Sequence, residues 1–306
     1  MKIHYSLESQ ANRKKSDITV GNFDGIHLGH QALIAKIVAE ARLADAEAVI
    51  ITFVNHPAQV IRPHHCPLRI TSNAQRIELF SKLGVGTLYL LEFSESFAGQ
   101  TTRHFLENLT HSMVISKIVL GYDAAIGKNR EGDFLHLSKL GKELHFTVEE
   151  FAPISEENAV VSSTLIRQAI SLGDLEAAHK YLGRPYSVYG NVVAGQGRGK
   201  TIGFPTANLD VEGLCLPPEG VYAVTVKVGG HIHKGIANLG KAPTVSTKGE
   251  VRLEVHLFDY DGNLYDYPLE VIFGRFIRSE IKFENVEALK KQIALDIVLS
   301  TKDKGQ

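Results

Sequence analysis

The chain has 306 residues, 44% of them hydrophobic and 22% charged, with a formal net charge of −1 and two cysteines. That length suggests about two ordinary domains, and that composition excludes a disordered chain. A near-zero charge with no basic stripe argues against a protein held to nucleic acid through its phosphates.

The longest apolar runs, such as residues 48–54, are strand-length and too short to cross a bilayer, so no membrane partner is expected. The opening MKIHYSLESQ has no apolar stretch to serve as a secretion signal, and Cys66 and Cys215 make no disulfide framework. A cytoplasmic protein is expected.

In chain order, the first half alternates strand and helix. Strands are predicted over residues 17–20, 48–53, 87–93, 117–121 and 145–151. Helices are predicted over residues 28–43, 75–83, 102–109 and 134–142. This is the pattern of an α/β domain, a parallel sheet with helices on both faces. Two short helices follow. One opens at Ser162-Ser163-Thr164 and ends near Gly173; the other takes Asp174 as its N-cap and stops at Gly183.

At Arg184-Pro185 the texture changes. The runs SVYGNVV, GVYAVTVKV, KGIANLG, VRLEVHLF and LEVIFGRF are separated by Gly, Pro and Asp-Gly turns, which reads as an antiparallel barrel or sandwich. A last amphipathic helix over residues 286–299 directs Leu289, Ile293 and Val298 toward the core. The domains are therefore expected to be residues 1–184 and 185–306.

The first chemical site is expected where the first long strand meets its helix. Gly21, Asn22, Phe23, Asp24 and Gly25 make a small-residue turn leading to His27 and His30 at the helix opening. Glycines let the backbone approach a ligand, and a helix start offers N–H groups and a positive dipole end to phosphate. Histidines three apart share one face there, where two imidazoles stabilise charge developing at phosphorus. Taken singly, either histidine reads as a surface residue and Asp24-Gly25 as a plain turn.

The second site follows residues 187–193. Residues 194–201, AGQGRGKT, nearly match a phosphate-binding P-loop, but Ile202-Gly203-Phe204-Pro205 comes next, where a P-loop requires a helix. A nest of backbone N–H groups around Gly195, Gly197, Arg198, Lys200 and Gly203 still suits phosphates. Later, Val251, Leu253, Val255 and Leu257 alternate onto one face, so Glu254 points the other way with Arg252 and His256. Asp259, Asp261, Asn263 and Glu270 have EF-hand spacing but lack its glycine and its helices, so Asp261-Gly262 is read as a hairpin turn. His64-His65-Cys66 is read as a loop.

His27-Leu28-Gly29-His30 resembles the His-x-Gly-His motif of the nucleotidylyltransferase superfamily. Ser162-Ser163-Thr164-Leu165-Ile166-Arg167 resembles its Ser-Ser-Thr-x-x-Arg motif. The resemblance implies a Rossmann-like fold in which Ser163, Thr164 and Arg167 hold the β- and γ-phosphates of ATP. Gly203-Phe204-Pro205-Thr206-Ala207-Asn208 resembles the motif of riboflavin kinases, a six-stranded barrel family. It implies Thr206 and Asn208 as ligands of Mg²⁺ with ATP phosphates, and Glu254 as the base for the riboflavin hydroxyl.

Together the two halves resemble the bacterial bifunctional riboflavin kinase/FAD synthetases along nearly the full chain. The substrates implied are riboflavin, FMN and ATP, with Mg²⁺ as cofactor. Thr52-Phe53-Val54-Asn55-His56-Pro57 matches the family's Thr-Phe-x-x-His-Pro stretch, and Gly121-Tyr122-Asp123 begins its flavin-side loop, which assigns Asn55, His56 and Asp123 to the flavin. One departure stands out. Where the family has an Asp-Phe-x-Phe-Gly run, this chain has Asp123-Ala124-Ala125-Ile126-Gly127, with less surface for stacking a flavin ring. A kinase with a weak or idle first domain is the alternative expectation.

Overall fold

The computed structural model describes residues 1–7, 14–157, 159–193, 198–241, 251–264 and 267–301. Contacts divide the chain into two units, Met1–Arg69 with Arg76–Ser163, and Ile70–Gln75 with Thr164–Gln306.

In the first unit, the strands are β1 (Lys2–His4), β2 (Lys15–Val20), β3 (Glu47–Phe53), β4 (Thr87–Leu91), β5 (Val114–Gly121) and β6 (Thr147–Phe151). The helices are α1 (Leu28–Leu43), α2 (Ala58–Ile61), α3 (Asn73–Lys82, entering from the second unit at Arg76), α4 (Glu95–Ala98), α5 (Thr102–Ser112) and α6 (Phe134–Glu143). The sheet order is β1-β4-β3-β2-β5-β6, and every pairing is parallel. Both faces are covered, so the central strands are near-continuous apolar runs. On one face Leu33, Ile34 and Ile37 of α1 pack with Phe80 of α3 over Ile50 and Leu88. On the other, Phe105, Leu106 and Leu109 of α5 pack with Leu137 and Leu140 of α6 over Ile18 and Ile51. A short hairpin, β7 (Ser155–Glu156) with β8 (Ala159–Val160), closes the unit.

The second unit carries α7 (Ser163–Ser171, all but its first residue) and α8 (Leu175–Leu182). Asp174 caps α8 through the Ala177 N–H, and Gly183 ends it at φ +66°. Then come β9 (Ser187–Val193), one helical turn α9 (Arg198–Thr201), β10 (Ala207–Leu209), β11 (Gly220–Val228), β12 (His231–Lys241), β13 (Val251–Leu257), β14 (Pro268–Arg278) and α10 (Val286–Thr301). The six strands close an antiparallel barrel in the order β10-β13-β12-β11-β14-β9, which settles barrel over sandwich. Val226, Ala237, Leu239, Leu253, Val255, Leu269 and Val271 are fully buried, as the inward positions of a small barrel must be.

Two expectations are corrected. β13 and β14 are not neighbours, so Asp261-Gly262 lies in a connection across the barrel and not in a hairpin. As expected, Ile202 to Pro205 start no helix: the single turn α9 lies within the glycine-rich run itself and is followed by Gly203 at φ +89° and by Pro205. Val298 is 51% exposed; the buried residue of α10 is Asp296, at 1%. Its burial is compensated by Arg278, whose Nε lies 2.9 and 3.0 Å from the two carboxylate oxygens and whose Nη2 lies 2.7 Å from Oδ2. Gln292 Nε2 donates to the same group at 2.9 Å.

Removing one partner of a buried pair strands the other charge. Asp296→Ala is therefore expected to cost about 3–5 kcal/mol in urea unfolding. Asp45→Ala, which breaks an exposed pair with Lys14, should leave the urea midpoint close to that of the wild type.

Candidate functional site

In an open parallel sheet, ligands bind at the carboxyl ends of the strands where the strand order reverses. Here the chain leaves β2 toward β3 on one side and returns to β5 on the other, so that crevice falls beside the turn after β2. The expected residues of the first unit are gathered there by topology: Gly21 to His30 after β2, Asn55 and His56 after β3, and Asp123 after β5.

The turn is tightly held. Phe23, Asp24, Ile26 and His27 are all buried, and Phe23 and Ile26 adopt φ of +48° and +39°, which non-glycine residues rarely do. Its carbonyls are gripped by side chains. Thr52 Oγ1 donates to Asn22 O at 3.0 Å, Gln31 Nε2 to Ile26 O at 2.8 Å, and Ser163 Oγ to Asp24 O at 2.9 Å. The last bond brings the start of the Ser-Ser-Thr motif to the His-x-Gly-His turn.

His27 is the N-cap of α1, its Nδ1 accepting from the His30 N–H at 3.4 Å. The two imidazoles stack with centroids 3.6 Å apart and planes 19° from parallel. Gly29 makes this possible, since a Cβ there would stand 3.2 Å from His27 Cε1. Burial and the neighbouring His27 hold the pKa of His30 well below the ordinary histidine value, so it is neutral at neutral pH. His30 Nδ1 is buried with no hydrogen-bond partner among the described residues.

Thr164 and Arg167 belong to the second unit, on α7; Thr164 is exposed and Arg167 half-buried. Ser163 and Arg167 are four apart and so share a face of that helix. Asn55 pairs with the backbone of Phe93, donating from Nδ2 to its carbonyl and accepting from its N–H at Oδ1, both at 2.9 Å. His56 Nδ1 accepts from the Ala58 N–H at 3.0 Å. Asp123 is exposed, and the run after it is anchored, with Ala124 packed against the core and Ile126 within it. Beside them Phe53, Phe93, Phe97 and Phe105 form a chain of edge contacts 5.0–5.5 Å between centroids. Sequence reading passed over this cluster, because its members are scattered from β3 to α5.

In the second unit, a cavity of about 320 Å³ lies on the outer face of the barrel under α10. Thr206, Asn208, Asn238 and Glu254 line its polar part, and Phe283, Leu289 and Ile293 part of its apolar wall. Glu254 stands in register with Asn208 on one side and Asn238 on the other, so the three form one row across β10, β13 and β12. Asn208 is 7% exposed, and its Oδ1 has no hydrogen-bond partner among the described residues. Gly199 packs so closely that a Cβ would lie 2.3 Å from Phe204 O. His256 Nδ1 lies 2.8 Å from Pro205 O and latches the Gly-Phe-Pro turn to β13. Gly195 and Gly197 lie outside the described residues. Arg198 and Lys200 fall in α9, and Gly203 follows it.

Two family models match the chain, FAD synthetase over residues 9–165 and riboflavin kinase over residues 182–302. The bifunctional riboflavin kinase/FMN adenylyltransferase of Haemophilus influenzae is 36% identical, over 92% of this chain and 91% of its own length. That of Escherichia coli K12 is 35% identical over 94% and 92%. A crystal structure of a macrolide-efflux protein from Streptococcus pneumoniae is 32% identical and superposes with a TM-score of 0.82 over 99% of both chains. Among the described residues, no helix is long and apolar enough to cross a membrane.

The depressed pKa of His30 has a sign. Below about pH 6.5, its ordinary value, the unfolded chain takes up a proton that the folded chain does not. Stability contributed by this site is therefore complete above pH 6.5 and falls as pH drops toward the lower folded value. Urea unfolding at pH 7 and pH 5.5 should show a smaller loss in His30→Asn than in the wild type.

Proposed function

We propose, for a chain that belongs to the family of bifunctional riboflavin kinase/FMN adenylyltransferases, that FMN is made at the barrel cavity and FAD at the turn after β2. The chain phosphorylates riboflavin with ATP and adenylylates FMN with a second ATP. Both halves match, which favours the bifunctional reading over the kinase-only alternative. The working domains are residues 1–184 and 185–306. The start of the riboflavin kinase match at residue 182 supports that division. Free Cys66 and Cys215 suit a reducing, cytoplasmic setting.

In FAD formation the FMN phosphate attacks the α-phosphorus of ATP and pyrophosphate leaves. His27 and His30 donate to the phosphate oxygens as charge grows, and the stacked imidazoles at the α1 start are the observation that carries this reading. With Nδ1 accepting from the His30 N–H, the His27 ring carries its proton on Nε2, a donor. Gly21, Asn22, Phe23, Asp24 and Gly25 shape the nucleotide's cradle, to which Ser163 is tied through the Asp24 carbonyl; on α7, Thr164 and Arg167 offer the hydroxyl and guanidinium that phosphate oxygens take. Asn55, His56 and Asp123 bound the flavin side, Asn55 by holding Phe93.

In FMN formation Glu254 accepts the proton of the riboflavin hydroxyl as it attacks the γ-phosphorus. Gly195, Gly197, Arg198, Lys200 and Gly203 cradle the ATP phosphates. Thr206 and Asn208 hold Mg²⁺, and the buried, unpartnered Oδ1 of Asn208 is the kind of hard oxygen that ion takes. When bound, the ion neutralises charge on the transferring phosphate.

Two incubations with ATP and Mg²⁺, one supplied with riboflavin and one with FMN, each followed by chromatography of the flavins, test the division of labour. His30→Ala is expected to lower FAD formation by about 10²–10³-fold and spare FMN formation; Glu254→Ala is expected to do the reverse. Either substitution abolishing both activities in a folded protein would break the two-site assignment. Asn208→Ala should raise the Mg²⁺ concentration for half-maximal FMN formation and leave that for FAD formation unchanged.

A further inference from the structure

We infer that Arg76 is a positioning residue for adenylyl transfer, acting through the turn that carries His27 and His30. The inference rests on the assignment of FAD formation to that turn. Arg76 projects from α3 and is 4% exposed. Its Nη1 donates to Asn22 O at 2.7 Å and to Thr52 Oγ1 at 3.1 Å, and its Nη2 donates to Phe53 O at 2.5 Å. Thr52 Oγ1 passes its own proton to the same Asn22 carbonyl at 3.0 Å. One guanidinium thus ties the end of β2 to the end of β3, and the first carbonyl of the phosphate-facing turn is held from two elements.

A second contact runs in parallel. Phe80, one helical turn beyond Arg76, meets the edge of Phe23 at 5.8 Å, and Phe23 meets the edge of His30 at 5.1 Å. Phe23 sits at φ +48°, a conformation that persists only where its surroundings over-determine it. α3 supplies that determination on both sides, polar at Asn22 and apolar at Phe23. Arginine suits the task because its planar fork reaches acceptors on two strands at once, whereas a lysine ammonium is a point charge. Burial lowers its pKa only to about 10, so the charge persists at neutral pH under a turn that faces anionic substrates.

The test uses the full chain, with FMN and FAD formation measured separately for Arg76→Lys, Thr52→Val, the double variant and His30→Ala. A misplacement near 1 Å at a reacting centre costs about 10²-fold. Arg76→Lys is expected to lower kcat for FAD formation by about that factor, with KM for ATP within about threefold of wild type and FMN formation unchanged. Thr52→Val, which keeps the side chain's shape, is expected to cost about tenfold in the same kcat. The double variant should be no worse than Arg76→Lys alone, since both act through Asn22.

Wild-type FAD kcat in Arg76→Lys beside an inactive His30→Ala would overturn the role of Arg76 and leave the site standing. Normal FAD formation in His30→Ala would remove the site itself. A fall of both activities together in Arg76→Lys would make the residue a general fold element and also overturn the inference. If Arg76→Lys does not fold, Thr52→Val decides: a lowered kcat at unchanged KM upholds the inference, an unchanged kcat sinks it.

Discussion

Both of the loops proposed to receive phosphate are fixed through their carbonyls, which leaves backbone N–H groups of each turn for a ligand. After β2, the carbonyls of Asn22, Asp24 and Ile26 accept from Thr52 and Arg76, from Ser163 and from Gln31. Before β10, the carbonyl of Pro205 lies against His256, and that of Gly199 accepts from the N–H of Phe204. Side chains share this holding with the loops' own backbone, and those side chains are brought from elsewhere in each unit.

The two units do this with different architectures. The parallel sheet places the first turn at a reversal of strand order, where helices on both faces leave a crevice at the strand ends. The barrel has no such crevice, because its interior is filled by Leu253, Val255 and their neighbours. Its cavity lies outside, between the polar row Asn208–Glu254–Asn238 and α10. That arrangement needs a firm hold on α10, and the buried Arg278–Asp296 pair provides it beside the apolar contacts of Leu289 and Ile293.

Much of this was legible from spacing. α1 runs over the residues that periodicity gives it, and Asp174 and Gly183 bound α8 through short-range capping. The alternation of Val251 to Leu257 turns Glu254 outward, and the register then sets it beside Asn208. Other features left no local trace. β1 and β10 are three residues each, below the length at which a pattern can be seen. Arg76 reads as an ordinary surface charge of an amphipathic helix; the one hint is its position four residues before Phe80, on the stripe that becomes buried. Asp296 is misleading in the same way, being a carboxylate at an inward position of α10.

What the sequence by itself determined is therefore whatever depends on neighbours within a turn or two: the helices and their caps, the alternating strands, and the motifs whose residues are consecutive. What only the tertiary structure decided is whatever depends on partners far along the chain. Closure of the barrel, the reversal that opens the crevice, and the burial of Arg76 against a carbonyl 54 residues earlier are of this kind. The reason is energetic. A charge or a polar oxygen enters the interior only when its partners are assembled around it, and those partners come together only in the folded chain.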